Sequence, residues 1–155
     1  MRLNWKIVAL SVALVGASAA PAAAQAISTY VFAVMDALRQ EIAWRERSAP
    51  AAEGQVYYHG EIGSLNNGGE RQAPVGDLTT ARYVTFAGFC DRDCADLDLF
   101  VVDQNNNIIA QDVAVDPRPR VTFRPVQGNT YDIRVRMYRC VQDPCFYSLG
   151  GFYRM

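Results

Sequence analysis

The sequence holds one lysine, Lys6, and one histidine, His59. A Ser–His–Asp or Cys–His site would have to be built on His59, in "YYHGE", and no G-x-S-x-G motif accompanies it. A glycosidase-type carboxylate pair needs only aspartates, but the separation that defines it lies in space and not in sequence. The expectation is a protein that is not an enzyme. Cations do not exceed anions: 15 Lys and Arg against 16 Asp and Glu give a net charge of −1, with no electrostatic footprint for nucleic acid. No segment beyond the N-terminal leader is apolar enough to cross a bilayer. Thioredoxin-type redox chemistry needs C-x-x-C opening a helix, and neither cysteine pair, Cys90-x3-Cys94 or Cys140-x4-Cys145, has that form.

At the start of the chain "MRLNWK" supplies Arg2 and Lys6, "IVALSVALVGA" is an apolar run of h-region length, and "SAAPAAAQ" puts Ala22 and Ala24 at the A-x-A positions. This is the layout of a secretory signal peptide over residues 1–24, cleaved before Gln25. It predicts a periplasmic or extracellular protein with no transmembrane segment in the mature chain. No cysteine follows the apolar run, so a lipid anchor is not expected. Export also makes disulfides the expected state of paired cysteines.

Residues 25–48 form the N-terminal helix of the reading, its pattern running over 27–47. Ile27, Val31, Val34, Leu38 and Ile42 share a stripe at helical spacing, Arg39, Glu46 and Arg47 lie off it, and Ser28 or Thr29 can cap the start. Its mixed charges favour packing on the domain edge over a membrane-surface or partner role. After Gly54 the period changes. "QVYYHGEI" reads as a strand, "GSLNNGGERQAPVGDLTT" as a long turn-rich stretch, and strands follow at 82–90, 96–102, 107–113, 120–124, 131–140 and 145–153. Val121 and Phe123 alternate with Arg120, Thr122 and Arg124; Tyr131, Ile133, Val135 and Met137 alternate with Asp132, Arg134, Arg136 and Tyr138. Many short strands without intervening helices predict a mainly β domain over 49–155: a small antiparallel, jelly-roll-like β-sandwich preceded by one amphipathic helix.

Each cysteine pair brackets one tight loop, and counting strand directions places both loops at the same end of the sandwich. Three connectivities are open from sequence. Pairing within each loop, Cys90–Cys94 and Cys140–Cys145, is expected because two cysteines at the mouth of a hairpin suit a disulfide. A zinc site of four thiolates would depart from the usual two-residue spacing. The acidic stretch "CDRDCADLDLFVVD" then raises calcium, with Asp91, Asp93, Asp96, Asp98 and Asp116 as candidate ligands, Asp112 and Asp143 as further ones. No EF-hand spacing or ligand ladder orders them, and no cofactor is expected. The simpler reading is a charge ladder. A hairpin over 120–136 would set Thr122 opposite Asp132 and Arg120 opposite Arg134, leaving Arg134 and Arg136 in need of anions. Asp96 and Asp98 would supply them from the neighbouring strand.

"DLDLFVVDQNNNIIAQD", "RPRVTFRP" and "GNTYDIRVRM" together resemble the bacterial pre-peptidase C-terminal domain, whose pattern is a D-x-D-L strand, an Asn/Gly turn, an acidic turn and a G-x-Y-x-I-x-V strand. The resemblance covers roughly 54–153 and is most specific over 96–137. It implies a small β-sandwich, related to collagen-binding modules and usually appended to secreted peptidases. The four cysteines are not part of that pattern, and no peptidase domain accompanies it here. The expected function is a binding or accessory module in the cell envelope or outside the cell, engaging a protein or polysaccharide partner. Phe100, Tyr138, Tyr147 and the Arg-rich strands are the candidate contacts. The alternatives are a structural envelope component docking through its helix, and a calcium-binding sandwich.

Overall fold

A computed structural model describes residues 22–48, 55–75, 78 and 81–154. Residues 1–21, the greater part of the expected leader, lie outside them. The first element is helix α1 (Ala22–Ser48). It starts earlier than the periodicity suggested, because the alanine-rich "AAAQA" favours helix as strongly as any sequence can. Ser28 and Thr29, expected as caps, therefore lie inside it.

Eight strands follow: β1 (Gln55–Leu65), β2 (Glu70–Pro74), β3 (Tyr83–Cys90), β4 (Cys94–Asp103), β5 (Ile108–Asp112), β6 (Arg120–Phe123), β7 (Tyr131–Cys140) and β8 (Cys145–Arg154). They form two four-stranded sheets, β1-β8-β3-β6 and β2-β7-β4-β5, with every pairing antiparallel. This is the jelly-roll arrangement, in which consecutive strands change sheets except at the β4–β5 hairpin. We call the sheets A and B in that order. The chain change between β6 and β7 overturns one expectation: they are not a hairpin. β6 pairs with β3, so Thr122 meets Thr85 with hydroxyl oxygens 2.9 Å apart and Arg120 lies opposite Ala87, not Arg134. β2 overturns another: the sequence predicts a turn-rich stretch there, because "ERQAP" has no apolar alternation to announce a strand.

The core between the sheets takes one face of each strand: Val84 and Phe86, Leu97, Leu99 and Val101, Val121 and Phe123, Tyr131 to Met137 in alternation, and Tyr147 and Leu149. Side chains of this size contribute about 1.5–3 kcal/mol each when fully buried. A smaller apolar cluster, Leu38 with Ala87, Phe89 and Phe152, lies on the other face of sheet A, where α1 packs.

That packing is read most clearly along β8. Tyr30 stacks on Phe146 with centroids 6.1 Å apart, Ser148 Oγ donates to the Val34 carbonyl at 2.7 Å, and the Arg45 guanidinium sits 4.2 Å from the centroid of the Phe152 ring. Leu38 lies over Gly150, where a Cβ would be 2.6 Å from its Cδ1. Two residues of strand rise about 6.7 Å and four residues of helix about 6 Å, so the two elements stay in step over this distance. The seat is flat because Gly150 has Gly60 on one side and Ala87 on the other. Of the expected helix stripe, Val34 and Leu38 are buried and Val31 and Ile42 half-buried; Ile27 is exposed. Among the described residues no helix covers sheet B.

Candidate functional site

The two cysteine loops do share one end of the sandwich, where the disulfides are Cys90–Cys94 and Cys140–Cys145. Each closes only a few residues, a constraint on the unfolded chain of about 2 kcal/mol. Asp91 braces this end. Its Oδ1 accepts from the Asp93 and Cys94 amides at 3.1 and 3.2 Å, and its Oδ2 accepts from Phe146 N–H of β8 at 2.8 Å. Apart from Asp93, which meets Arg92 at 4.0 Å, four more acidic side chains of the loops serve the backbone in the same way. Asp103 accepts from Asn105 and Asn107 amides, Asp112 from Ala114 and Arg120, Asp116 from Arg118, and Asp143 from Asn67. Short polar side chains in turns find acceptor roles of this kind close to their own backbone. The candidate calcium ligands are thereby spread over separate tasks, and among the described residues no group of three or more His, Cys, Asp or Glu could hold a metal ion.

Asp96 and Asp98 stand apart from this pattern. Leu97 and Leu99 point into the core, so the period of two puts Asp96, Asp98 and Phe100 on the outer face of sheet B. Compensating bulges at Ala95 and Tyr138 place Asp96 opposite Arg139, while Asp98 falls opposite Arg136 and Phe100 opposite Arg134. Only the Asp98–Arg136 rung of the expected ladder therefore has the register. Arg134 donates to Gln72 Oε1 at 3.1–3.2 Å and to Asn106 Oδ1 at 2.7 Å. Arg136 leans the other way: its Nε lies 3.5 Å from Glu70 Oε1 without a hydrogen bond, and its guanidinium carbon lies 5.2 Å from the Tyr138 ring centroid.

These carboxylates are also not surface charges. Asp96 is 3% exposed and Asp98 4%, because the segment between β5 and β6 folds beside them. It is held there by the Leu97 amide, which donates to the Asp116 carbonyl at 3.1 Å. The result is a cleft of about 380 Å³ lined by Asp96, Asp98, Phe100, Val113, Val115, Arg136 and Tyr138. Burial pushes the Asp98 carboxyl above the usual carboxylate range, and the neighbouring Asp96 pushes the same way. Asp96 Oδ1 is buried without a hydrogen bond. Phe100 and Tyr138, both expected as contacts, do line this cleft; Val113 and Val115 carry no sequence signal for that role.

Tyr147, the third aromatic candidate, is a core residue. It is fully buried against Gly63, and its hydroxyl donates to Glu61 Oε1 at 2.8 Å. Glu61 in turn meets Arg71 Nε at 2.6 Å, joining the edge strands of the two sheets. Burial and the Glu61 hydrogen bond hold the Tyr147 hydroxyl well above its ordinary pKa. A second hollow of about 430 Å³ lies between α1 and Phe89 and Arg118, where its one carboxylate, Glu41, is already paired with Arg45 at 2.6 Å and Arg120 at 2.9 Å.

No family model matches the chain, and no curated protein is similar to it in sequence. Among the described residues no helix is long and apolar enough to cross a membrane.

Proposed function

We propose that this chain is an exported, non-catalytic binding module of the pre-peptidase C-terminal type, acting in the periplasm or outside the cell through the open face of sheet B. One observation carries the reading: α1 covers sheet A, whereas among the described residues no helix covers the opposite face of the sandwich, which holds a cleft with an acidic floor and an aromatic and apolar rim. Concave sites with a few convergent polar groups and perturbed titration are where ligands bind. The leader and two disulfides support export. The partner is a protein or polysaccharide of the envelope.

A second reading, docking through α1, is favoured by Phe32 and Trp44, which are 65% and 51% exposed on the helix. Capture from envelope extract separates the two. Loss of the partner with Phe100→Ser/Tyr138→Ala, and its retention with Phe32→Ser/Trp44→Ser, supports the sheet face. The reverse pattern assigns the partner to the helix.

A further inference from the structure

Eight of the described aspartates have an identified partner: Asp36, Asp91, Asp93, Asp103, Asp112, Asp116, Asp132 and Asp143 each accept a hydrogen bond or meet a cation. Asp96 and Asp98, among the most buried of them, have no hydrogen bond and no ion pair within 4 Å from a described residue; Asp96 Oδ1 is buried without a partner, and Asp98 has only the longer-range attraction of Arg136. A carboxylate withdrawn from water is costly unless it is paired, and two on one strand also repel each other. Arg136 lines the same cleft yet is drawn toward Glu70 and Tyr138. Arg136 offsets part of this charge from across the cleft, so the floor keeps negative charge that the fold only partly compensates.

We propose that the Asp96–Asp98 cleft seats one organic cation, the arginine or lysine side chain of a partner polypeptide. This rests on sheet B's open face being the binding surface, and it names what that surface selects. Two carboxylates offer at most about four oxygens, short of the six to eight that calcium takes. The walls add what a bare ion would not use: Phe100, Val113, Val115 and Tyr138 can cover an alkyl stem while its charged head reaches the floor. A guanidinium is the more weakly hydrated head and matches a carboxylate in two-point geometry; an ammonium shares the charge without the fork. A volume of about 380 Å³ is at the small end for ligand sites and fits one long side chain. The cleft opens on a sheet face, as entry from a larger partner requires.

The test is titration of the whole protein with n-butylguanidinium, n-butylammonium and neutral n-butylurea, read by calorimetry and by thermal melting. Both cations are expected to bind in about the millimolar range, n-butylurea at least about tenfold more weakly, and either cation less tightly as salt rises. Asp96→Asn and Asp98→Asn should each weaken cation binding about tenfold or more. Asp96→Asn should also melt at or above the wild-type temperature, since it removes a buried unpaired charge. Val115→Lys, at a position 71% exposed, places an ammonium beside the floor without disturbing the core; it should raise the melting temperature and exclude the probes. Equal binding of n-butylurea, unchanged binding by the Asn variants, or a fall of many degrees on Asp96→Asn overturns the proposal. So does a large calcium-dependent rise in melting temperature that Asp96→Asn abolishes, which would make the site a metal site. If the envelope partner is still captured by Asp96→Asn but not by Tyr138→Ala, the sheet-face reading stands and the cation seat falls.

Discussion

Asp98 and Asp91 are the same residue type put to opposite use, and their pH behaviour and stability effects should differ accordingly. The Asp98 carboxyl is raised by burial first, then by Asp96, with Asp112 and Glu70 adding and Arg136 opposing. Just above pH 4 the native state then keeps a proton that the unfolded chain has lost, and stability falls as pH rises through that window. Asp98→Asn should flatten this fall, as measured by urea midpoints between about pH 4 and pH 7. Asp91 instead holds three amides from two strands and their turn. Asp91→Ala leaves those donors without an acceptor and should lower unfolding stability by about 3 kcal/mol in the same measurement. Sequence placed Asp96 and Asp98 on one face correctly because strand periodicity is local. It could not show that they are buried, since their cover, Val113 and Val115, comes from a later segment with no strand pattern. Nor could it send Arg134 to Gln72, a residue of a strand without apolar alternation.

At the scale of elements, α1 and β8 are matched by what β8 lacks. The pattern "FYSLGGF" alternates Phe146, Ser148, Gly150 and Phe152 on the outer face, large at both ends and small in the middle. A Cβ at Gly150 would stand 2.6 Å from Leu38 Cδ1 and 2.9 Å from the Phe152 ring, so a larger residue there forces both side chains, and with a branched one the helix, to move. Gly150→Val should lift α1 from sheet A at a cost of about 1–3 kcal/mol. Hydrogen exchange checks this: α1 amides should lose protection while β4 and β7 amides keep theirs. The strands with alternating apolar residues were legible from sequence, as was the helix. What local pattern cannot report is a change of sheet. β6 and β7 follow each other with a turn between, the usual mark of a hairpin, yet they belong to different sheets because Val121 and Phe123 complete the core against β3.

For the whole molecule, one property of the strand pairing has a kinetic meaning. Numbered along the chain, partners add to nine: β4 with β5, β3 with β6, β2 with β7 and β1 with β8. The sandwich is a single doubled ribbon, bent at residues 104–107 and rolled so that successive pairs alternate between the sheets. Pairs near the bend close short loops and the last pair closes nearly the whole domain, so loop entropy favours zipping from the bend outward. Asn106 sits at the bend with a φ of 63° and accepts from Arg134 at 2.7 Å. A β-branched residue resists that conformation, so Asn106→Val should slow folding and leave the unfolding rate nearly unchanged. Gly63→Ala, whose Cβ would meet Tyr147 Oη at 2.7 Å near the ribbon's free ends, should speed unfolding with little effect on folding. Stopped-flow denaturant series on the two variants read both rates. Because β8 lies between β1 and β3 and also carries α1, the eighth strand, made after all its partners, is the clasp of the ribbon, and a chain halted before Cys145 would hold the bend with nothing to fasten it.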